Sequence, residues 1–242
     1  MIVFDSKLHT YTNSETDNKY ISATTLLNKY KVPFDSATHS KRVAAQEGVT
    51  PEFVLESWKQ TTKIATDRGT KIHNLMENFI KNDEVDETYN YLYNSYRKFV
   101  AKYIGNYNQV LSEELLYLHD YEVAGTADLI YERKDDFIVA DFKTNKKFRF
   151  TNNFNDYFTA PINHLMYCEF NTYALQLSMY AKCFEQRSGK RCKGLVVLYL
   201  QEDQWIPYHC NYLKSDINNI LEHYKTNSPK TTPLLFSKSE EN

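Results

Sequence analysis

Two aspartates and a lysine fall within one stretch of the chain, Val123–Lys147, VAGTADLIYERKDDFIVADFKTNKK. Asp128 closes a Gly-Thr-Ala-Asp run, and Asp141 and Lys143 follow with only Phe142 between them. Two carboxylates brought close together repel, and each resists ionising alone. A divalent cation removes that conflict, and oxygen ligands suit Mg²⁺ or Mn²⁺. Such an ion lowers the pKa of a bound water and clamps a phosphate oxygen. A lysine ammonium beside it can orient the water or offset charge developing on the phosphate. These are the parts of a hydrolytic phosphodiester site. An isolated Asp-x-Lys, by contrast, is most often a solvated ion pair on a strand face.

The elements around these residues decide whether they meet. Tyr121–Tyr131 and Phe137–Phe142 read as strands, the second a short apolar, β-branched run. Charged Glu132–Asp136 between them predicts a hairpin. Asp141 and Lys143 are two apart and share a strand face, and Asp128 on the neighbouring strand can face them. Val110–His119 predicts the strand before this hairpin, with Glu113 and Glu114 pointing to opposite faces.

Helices carry further candidates. Ile72, Leu75, Met76, Phe79 and Ile80 recur at helical spacing, so the stretch from Asp67 predicts an amphipathic helix. His73 and Glu77 stand one turn apart on its flank, either as a surface pair or with Glu77 orienting His73 at a metal. Asn171–Arg187 predicts a helix that is apolar nearly all round, with Gln176 and Tyr180 one turn apart. A buried glutamine there can simply satisfy a backbone group. Lys146, Lys147, Phe148 and Arg149 interleave cations and rings, and Phe154, Tyr157 and Phe158 follow. Such a segment suits single-stranded nucleic acid, or equally a packed aromatic edge loop. Thr151–Phe170 has no regular pattern and reads as a long lid or binding loop.

In this order the motifs resemble the PD-(D/E)xK nuclease superfamily, in particular its RecB-like exonuclease branch, which includes phage-type and mitochondrial single-strand exonucleases. Gly125-Thr126-Ala127-Asp128 matches G-x-x-D, and Asp141-Phe142-Lys143 matches D/E-x-K. Gly69–His73 matches G-x-x-x-H at a helix start, and Gln176–Tyr180 matches Q-x-x-x-Y. Ser22–Leu27 followed by Pro33-Phe34 is a weaker match of the same kind. The resemblance spans roughly Tyr20 to Gln201. It implies an α/β fold with a restriction-endonuclease-like core. A central mixed β-sheet would be flanked by helices, and a helical N-terminal portion would wall a DNA channel.

The resemblance also implies roles. His73, Asp128, Asp141 and the Phe142 backbone carbonyl would hold Mg²⁺ or Mn²⁺. Glu113 would stand near the metal, with Glu114 close behind it as the alternative. Lys143 would position water or stabilise the transition state. Gln176 and Tyr180 would support the site or contact the DNA end, alongside Lys146, Lys147, Phe148 and Arg149. The implied activity is that of a metal-dependent DNA exonuclease acting at ends or in single strands, leaving 5′-phosphates, in recombination, replication or DNA processing. A structure-specific or restriction-type endonuclease with the same site, and a catalytically silent DNA-binding module, are the alternatives. Some relatives hold an iron–sulfur cluster with one early and three late cysteines. Cys168, Cys183, Cys192 and Cys210 lack that arrangement, so no iron–sulfur cluster is expected.

Composition sets the remaining bounds. The 242 residues suffice for one domain with a sizeable core. That domain is expected over 1–226, with 1–105 mainly helical, 106–226 as the catalytic α/β core, and 227–242 as a polar tail. Six Gly and six Pro exclude collagen-like and linker-rich architectures. A net charge of −2 gives no general attraction to nucleic acid, but the field that matters is local. The cysteine spacing is wrong for zinc, and reduced thiols are expected. Neither a membrane span nor a signal peptide is legible, so a cytoplasmic protein without membrane contact is expected.

Along the chain, Ile2–Asn18, with His9 and Tyr11, reads as a hairpin or loop. A helix is predicted from Tyr20, with Ser22 or Thr24 as cap and Pro33 as terminator. His39–Gln46 reads as a basic helical piece. Thr50-Pro51-Glu52 opens another helix, with Phe53, Val54, Leu55 and Trp58 as its apolar side and Trp58 in the core, a DNA-stacking role being the lesser alternative. Tyr89–Tyr103 predicts a helix most of whose tyrosines keep their hydroxyls at the surface. Lys193–Gln201 and Trp205–Tyr212 read as strands, and Asp216–Lys225 as a closing helix.

Overall fold

The computed structural model describes residues 1–5, 8, 10–105, 107, 109–152 and 155–227; His9, Phe154 and the expected tail beyond Asn227 lie outside the described residues. Three short strands open the chain: β1 (Ile2–Asp5), β2 (Thr10–Asn13) and β3 (Lys19–Ser22). The candidate residues sit on β4 (Gln109–Leu118), β5 (Val123–Glu132) and β6 (Asp136–Lys143). Strands β7 (Arg191–Gln201) and β8 (Gln204–Cys210) follow. These eight strands form one mixed sheet in the order β1-β2-β3-β5-β6-β7-β8, with β4 also on β5. The β3–β5 and β6–β7 pairs are parallel, and the other pairs are antiparallel.

Helices cover both faces. They are α1 (Ala23–Asn28), α2 (Ser36–Glu47), α3 (Pro51–Asn82), α4 (Asn90–Phe99), α5 (Glu169–Ser188) and α6 (Lys214–Asn227). Strand alternation sorts the core. Leu129, Tyr131, Ala140 and Phe142 pack with Ile72, Met76, Leu92 and Tyr93 from α3 and α4. Ile130, Phe137 and Val139 pack with Leu26, Leu177, Phe184 and Ile217 from α1, α5 and α6. The chain is thus an α/β protein with a central mixed sheet flanked by helices. No helix among the described residues is long and apolar enough to cross a membrane.

Several local expectations change. The helix expected from Tyr20 starts at Ala23, because Ile21 and Ser22 pair with Val123 and Ala124 as a strand first. Ser22 is its cap, accepting the Thr25 N–H. The first strands of the N-terminal portion join the same sheet as β5, and its helices follow them.

The two helices expected on either side of Asp67 are one helix, α3, of 32 residues. Thr50 caps it and Pro51 opens it. No proline or second cap follows, and Gly69 inside it costs only about 1 kcal/mol. His73 therefore lies well inside a helix rather than at a helix start. Along its first half only Val54 is buried, while Phe53 is 62% exposed. Trp58 is half-buried rather than core. Tyr93 and Tyr96 of α4 are the buried members of its tyrosine set, and Tyr131 donates to the Tyr96 hydroxyl at 2.8 Å.

Met76, fully buried where α3 meets the sheet, and Ile64, 68% exposed, lie on the same helix. Met76→Ala should lower unfolding free energy by about 2–5 kcal/mol. Ile64→Ala should change it by less than about 0.5 kcal/mol. Urea titration followed by circular dichroism measures both, and equal losses would contradict this docking of α3.

Candidate active site

A strand has two edges, and β5 uses them unevenly. Strand β4 pairs along all of one edge, from Val123 to Glu132. The other edge is shared: β3 takes Val123 and Ala124, and β6 takes Leu129 to Glu132. Gly125–Asp128 lies in the fork between them. There the Phe142 N–H donates to Asp128 Oδ2 at 2.8 Å, so a side chain stands where a ladder partner would. Gly125 is required by packing, since a Cβ there would lie 2.7 Å from Tyr180 Cε1 and 3.3 Å from Ala23 Cβ.

Opposite the fork, β4 pairs with β5 at Ser112–Leu129 and Glu114–Ala127. Glu113 between them has a left-handed backbone, φ 53°. For a non-glycine residue this costs about 1–3 kcal/mol and recurs at functional sites. His73, Glu113 and Asp128 each offer a ligand atom, all within 4.8 Å of one another. His73 Nδ1 is 3.3 Å from Asp128 Oδ2. Glu114 instead pairs with Arg187 at 2.6 Å. Glu77 pairs with Lys81 at 2.6 Å, so it is not placed to orient His73.

Asp141 and Lys143 share a face, as strand alternation requires. Asp141 Oδ2 lies 2.6 Å from Lys143 Nζ. Lys143 donates to Gln176 Oε1 at 3.1 Å, and Gln176 Nε2 donates to the Tyr180 hydroxyl at 3.1 Å. Gln176 Nε2 is also 3.5 Å from Asp141 Oδ1. One turn of α5 thereby ties down both members of the Asp-x-Lys pair. Asp141 is not among the three converging ligands; its carboxylate is turned toward Lys143 and Gln176. The ring of Tyr173 lies 4.8 Å from Lys143 Nζ. Tyr173 was not among the residues singled out from the sequence; its position three residues before Gln176 is the signal that it shares the site.

The basic aromatic segment divides. Lys146 and Lys147 are exposed. Phe148 is half-buried and stacks on Tyr199 at 4.9 Å and Tyr173 at 5.9 Å. Arg149 Nε meets both Glu169 carboxylate oxygens at 2.9 and 3.0 Å. Phe148 is therefore a packing residue, and the Arg149 charge is matched within the protein.

The electrostatics reflect crowded acids. Burial, and then the Asp141 charge, raises Asp128 to about 6 against the pull of His73 and Lys143. Burial, and then Asp128, raises Glu113 to about 8. Burial alone would lower Lys143, but Asp141 and Asp128 outweigh it and hold it as an ammonium. An imidazole and two carboxylates, unwilling to ionise together, form a donor set that fits Mg²⁺ or Mn²⁺.

No family model matches the chain, and no curated protein matches it. Two solved structures are distantly similar. One is the crystal structure of SSO0001, 14% identical with a TM-score of 0.37, covering 87% of this chain and 77% of that one. The other is a "Putative exonuclease" from Eubacterium rectale, 11% identical with a TM-score of 0.36, covering 83% of this chain and 67% of that one. At this level of likeness the site has to be read from its own geometry.

Two measurements follow. Glu113 moves from 4.5 to about 8 and Asp128 from 3.8 to about 6 on folding. The folded protein thus keeps protons that the unfolded chain has released, and metal-free stability should fall between about pH 4 and 8. Thermal melts in EDTA should show this fall, and Glu113→Gln should flatten it; a flat wild-type profile would contradict the crowding. Separately, Gly125→Ala should cost about 1–3 kcal/mol through its clash with Tyr180. Truncating Tyr180 to Ala in the same chain should make the two losses clearly less than additive in urea titrations.

Proposed function

We propose that this chain is a metal-dependent deoxyribonuclease that hydrolyses phosphodiester bonds, with exonuclease action favoured. The observation that carries the proposal is the meeting, at one end of the sheet, of a His73–Glu113–Asp128 ligand group with an Asp141–Lys143–Gln176 group. The motif order that resembles RecB-like PD-(D/E)xK nucleases supports the same reading. A bound Mg²⁺ or Mn²⁺ would supply Lewis acidity, activating water and neutralising a phosphate oxygen.

The chain's own residues do the rest. His73, Glu113 and Asp128 would hold the ion, with Asp141 and the Phe142 carbonyl as further candidates. Lys143 is kept protonated by its carboxylate neighbours, so it serves as a donor and a positive charge rather than as a base. Gln176 fixes its position, and Tyr180 fixes Gln176. DNA with a free end or a single-stranded stretch is the proposed substrate, in recombination, replication or DNA processing. An endonuclease with the same site is the second reading, and a silent DNA-binding module the third.

A gel time course separates them. Substrates are end-labelled single-stranded and duplex DNA and a closed circle, each with Mg²⁺, Mn²⁺ or EDTA. Metal-dependent loss of linear DNA with circles spared is expected. Lys143→Ala and Asp128→Ala should each reduce the rate by about 100-fold or more. Gln176→Ala should reduce it by about 10–100-fold. Cut circles would establish the endonuclease. A folded protein that cleaves nothing would overturn the catalytic reading.

A further inference from the structure

One group of aromatic residues is used neither by the core nor by the site. Phe34, in the loop before α2, is 65% exposed. Its ring stacks on His39 with centroids 4.7 Å apart and planes 12° apart. Trp58 of α3 lies 5.9 Å away. An exposed ring held against two half-buried ones at the surface marks a binding surface rather than a core.

We propose that Phe34, His39 and Trp58 form a stacking platform for a single-stranded nucleic acid that runs along α3 toward Lys143. This rests on the nuclease reading and extends it to the substrate's path. Three observations support the path. First, Trp58, Thr62, Ala65, Gly69 and His73 recur every three or four residues and so share one flank of α3. The side chains between the tryptophan and the histidine are small, and the two ends lie ~22 Å apart at ~1.5 Å per residue. Second, Thr62 and Ala65 line a groove of about 470 Å³ together with His73, Lys143 and Lys146. A second cavity of about 630 Å³ is lined by Phe34, His39 and Lys31, and Tyr173 lines both. Tyr173 therefore stands between the cavity at Phe34 and the groove at Lys143.

Third, cations stand beside the rings: Lys31 lines the second cavity, and Arg42 Nη2 lies 3.5 Å from His39 Nδ1 on α2. Three acids line the same cavity: Asp35 caps α2 through the Thr38 N–H, Glu169 is matched by Arg149, and Asp156 carries the remaining negative charge. Rings that stack bases, with cations beside them for the backbone, are the sequence-tolerant way to bind a single strand. Duplex DNA, whose bases are already stacked, gains nothing from such a platform.

The test is equilibrium binding in EDTA, where no cleavage occurs. A fluorescein-labelled oligo(dT) of about 12 nucleotides is titrated with wild type, Phe34→Ala and Trp58→Ala, and binding is read by anisotropy. Each variant should weaken binding by about tenfold. Intrinsic fluorescence gives a second readout. Of the two tryptophans, Trp205 is 3% exposed, so quenching by unlabelled oligo(dT) should come from Trp58 and vanish in Trp58→Phe.

Wild-type binding that both alanine variants match, with no quenching, would overturn the platform and leave the nuclease reading intact. A wild type that neither binds nor cleaves DNA would overturn both. Sedimentation is run on the same samples. A wild-type dimer that Phe34→Ala makes monomeric would assign the surface to a second copy of this chain and overturn the proposal.

Discussion

Three carboxylates and one lysine at the end of a sheet set the main constraint on this structure. Glu113, Asp128 and Asp141 cannot all ionise cheaply in a half-buried space, and the raised proton affinity of Glu113 and Asp128 expresses that conflict. The protein offsets it in three ways. Lys143 lies against Asp141, the Phe142 N–H donates to Asp128, and His73 approaches Asp128 from α3. Among the described residues Glu113 has no comparable ion pair; the Lys81 charge opposes its rise without cancelling it. It is also the residue with the strained backbone. A folded chain retains such a position when another requirement outweighs the stability lost. A cation bound by the three ligands would be such a requirement.

The fork in β5 lets those groups converge. Had β6 continued its ladder past Leu129, the Phe142 N–H would have met a backbone carbonyl and Asp128 would have been one more strand residue. Instead β3 occupies the start of the same edge, and the gap admits α5. Gly125 gives Tyr180 room, Tyr180 holds Gln176, and Gln176 holds Lys143. The glycine of the Gly-Thr-Ala-Asp run and the tyrosine of the Gln-x-x-x-Tyr run, 55 positions apart in sequence, are thus two sides of one contact.

Much of this was legible in the sequence, and the exceptions have physical causes. The hairpin carrying Asp128, Asp141 and Lys143 follows from alternation and a charged turn, both local signals. Strand β3 was missed because Tyr20–Ser22 pairs with residues a hundred positions away, and a capping serine just beyond it reads as a helix start. The unbroken α3 was missed because a glycine and a polar stretch look like an interruption when neither one breaks a helix. Glu113 and Glu114 could not be separated by alternation alone, since the left-handed residue between two ladder pairs is invisible in a strand pattern. Phe148 and Arg149 misled for a related reason. Rings and cations at a site look alike in sequence whether they face a ligand or each other, and only Glu169 and Tyr199 show that these two are already matched.

The same distinction governs the exposed rings of α2 and α3. A chain with a net charge of −2 and an acidic candidate centre does not attract a polyanion by its overall field. On the proposed reading, phosphates near Asp128 and Asp141 would meet repulsion until a cation is present, so affinity for a strand would have to come from elsewhere on the surface. Base stacking supplies free energy that does not depend on the sign of the nearby charge. A ring platform ~22 Å from His73 along one helix would hold the strand where the acids cannot, and bring its backbone to them only when metal makes that approach favourable.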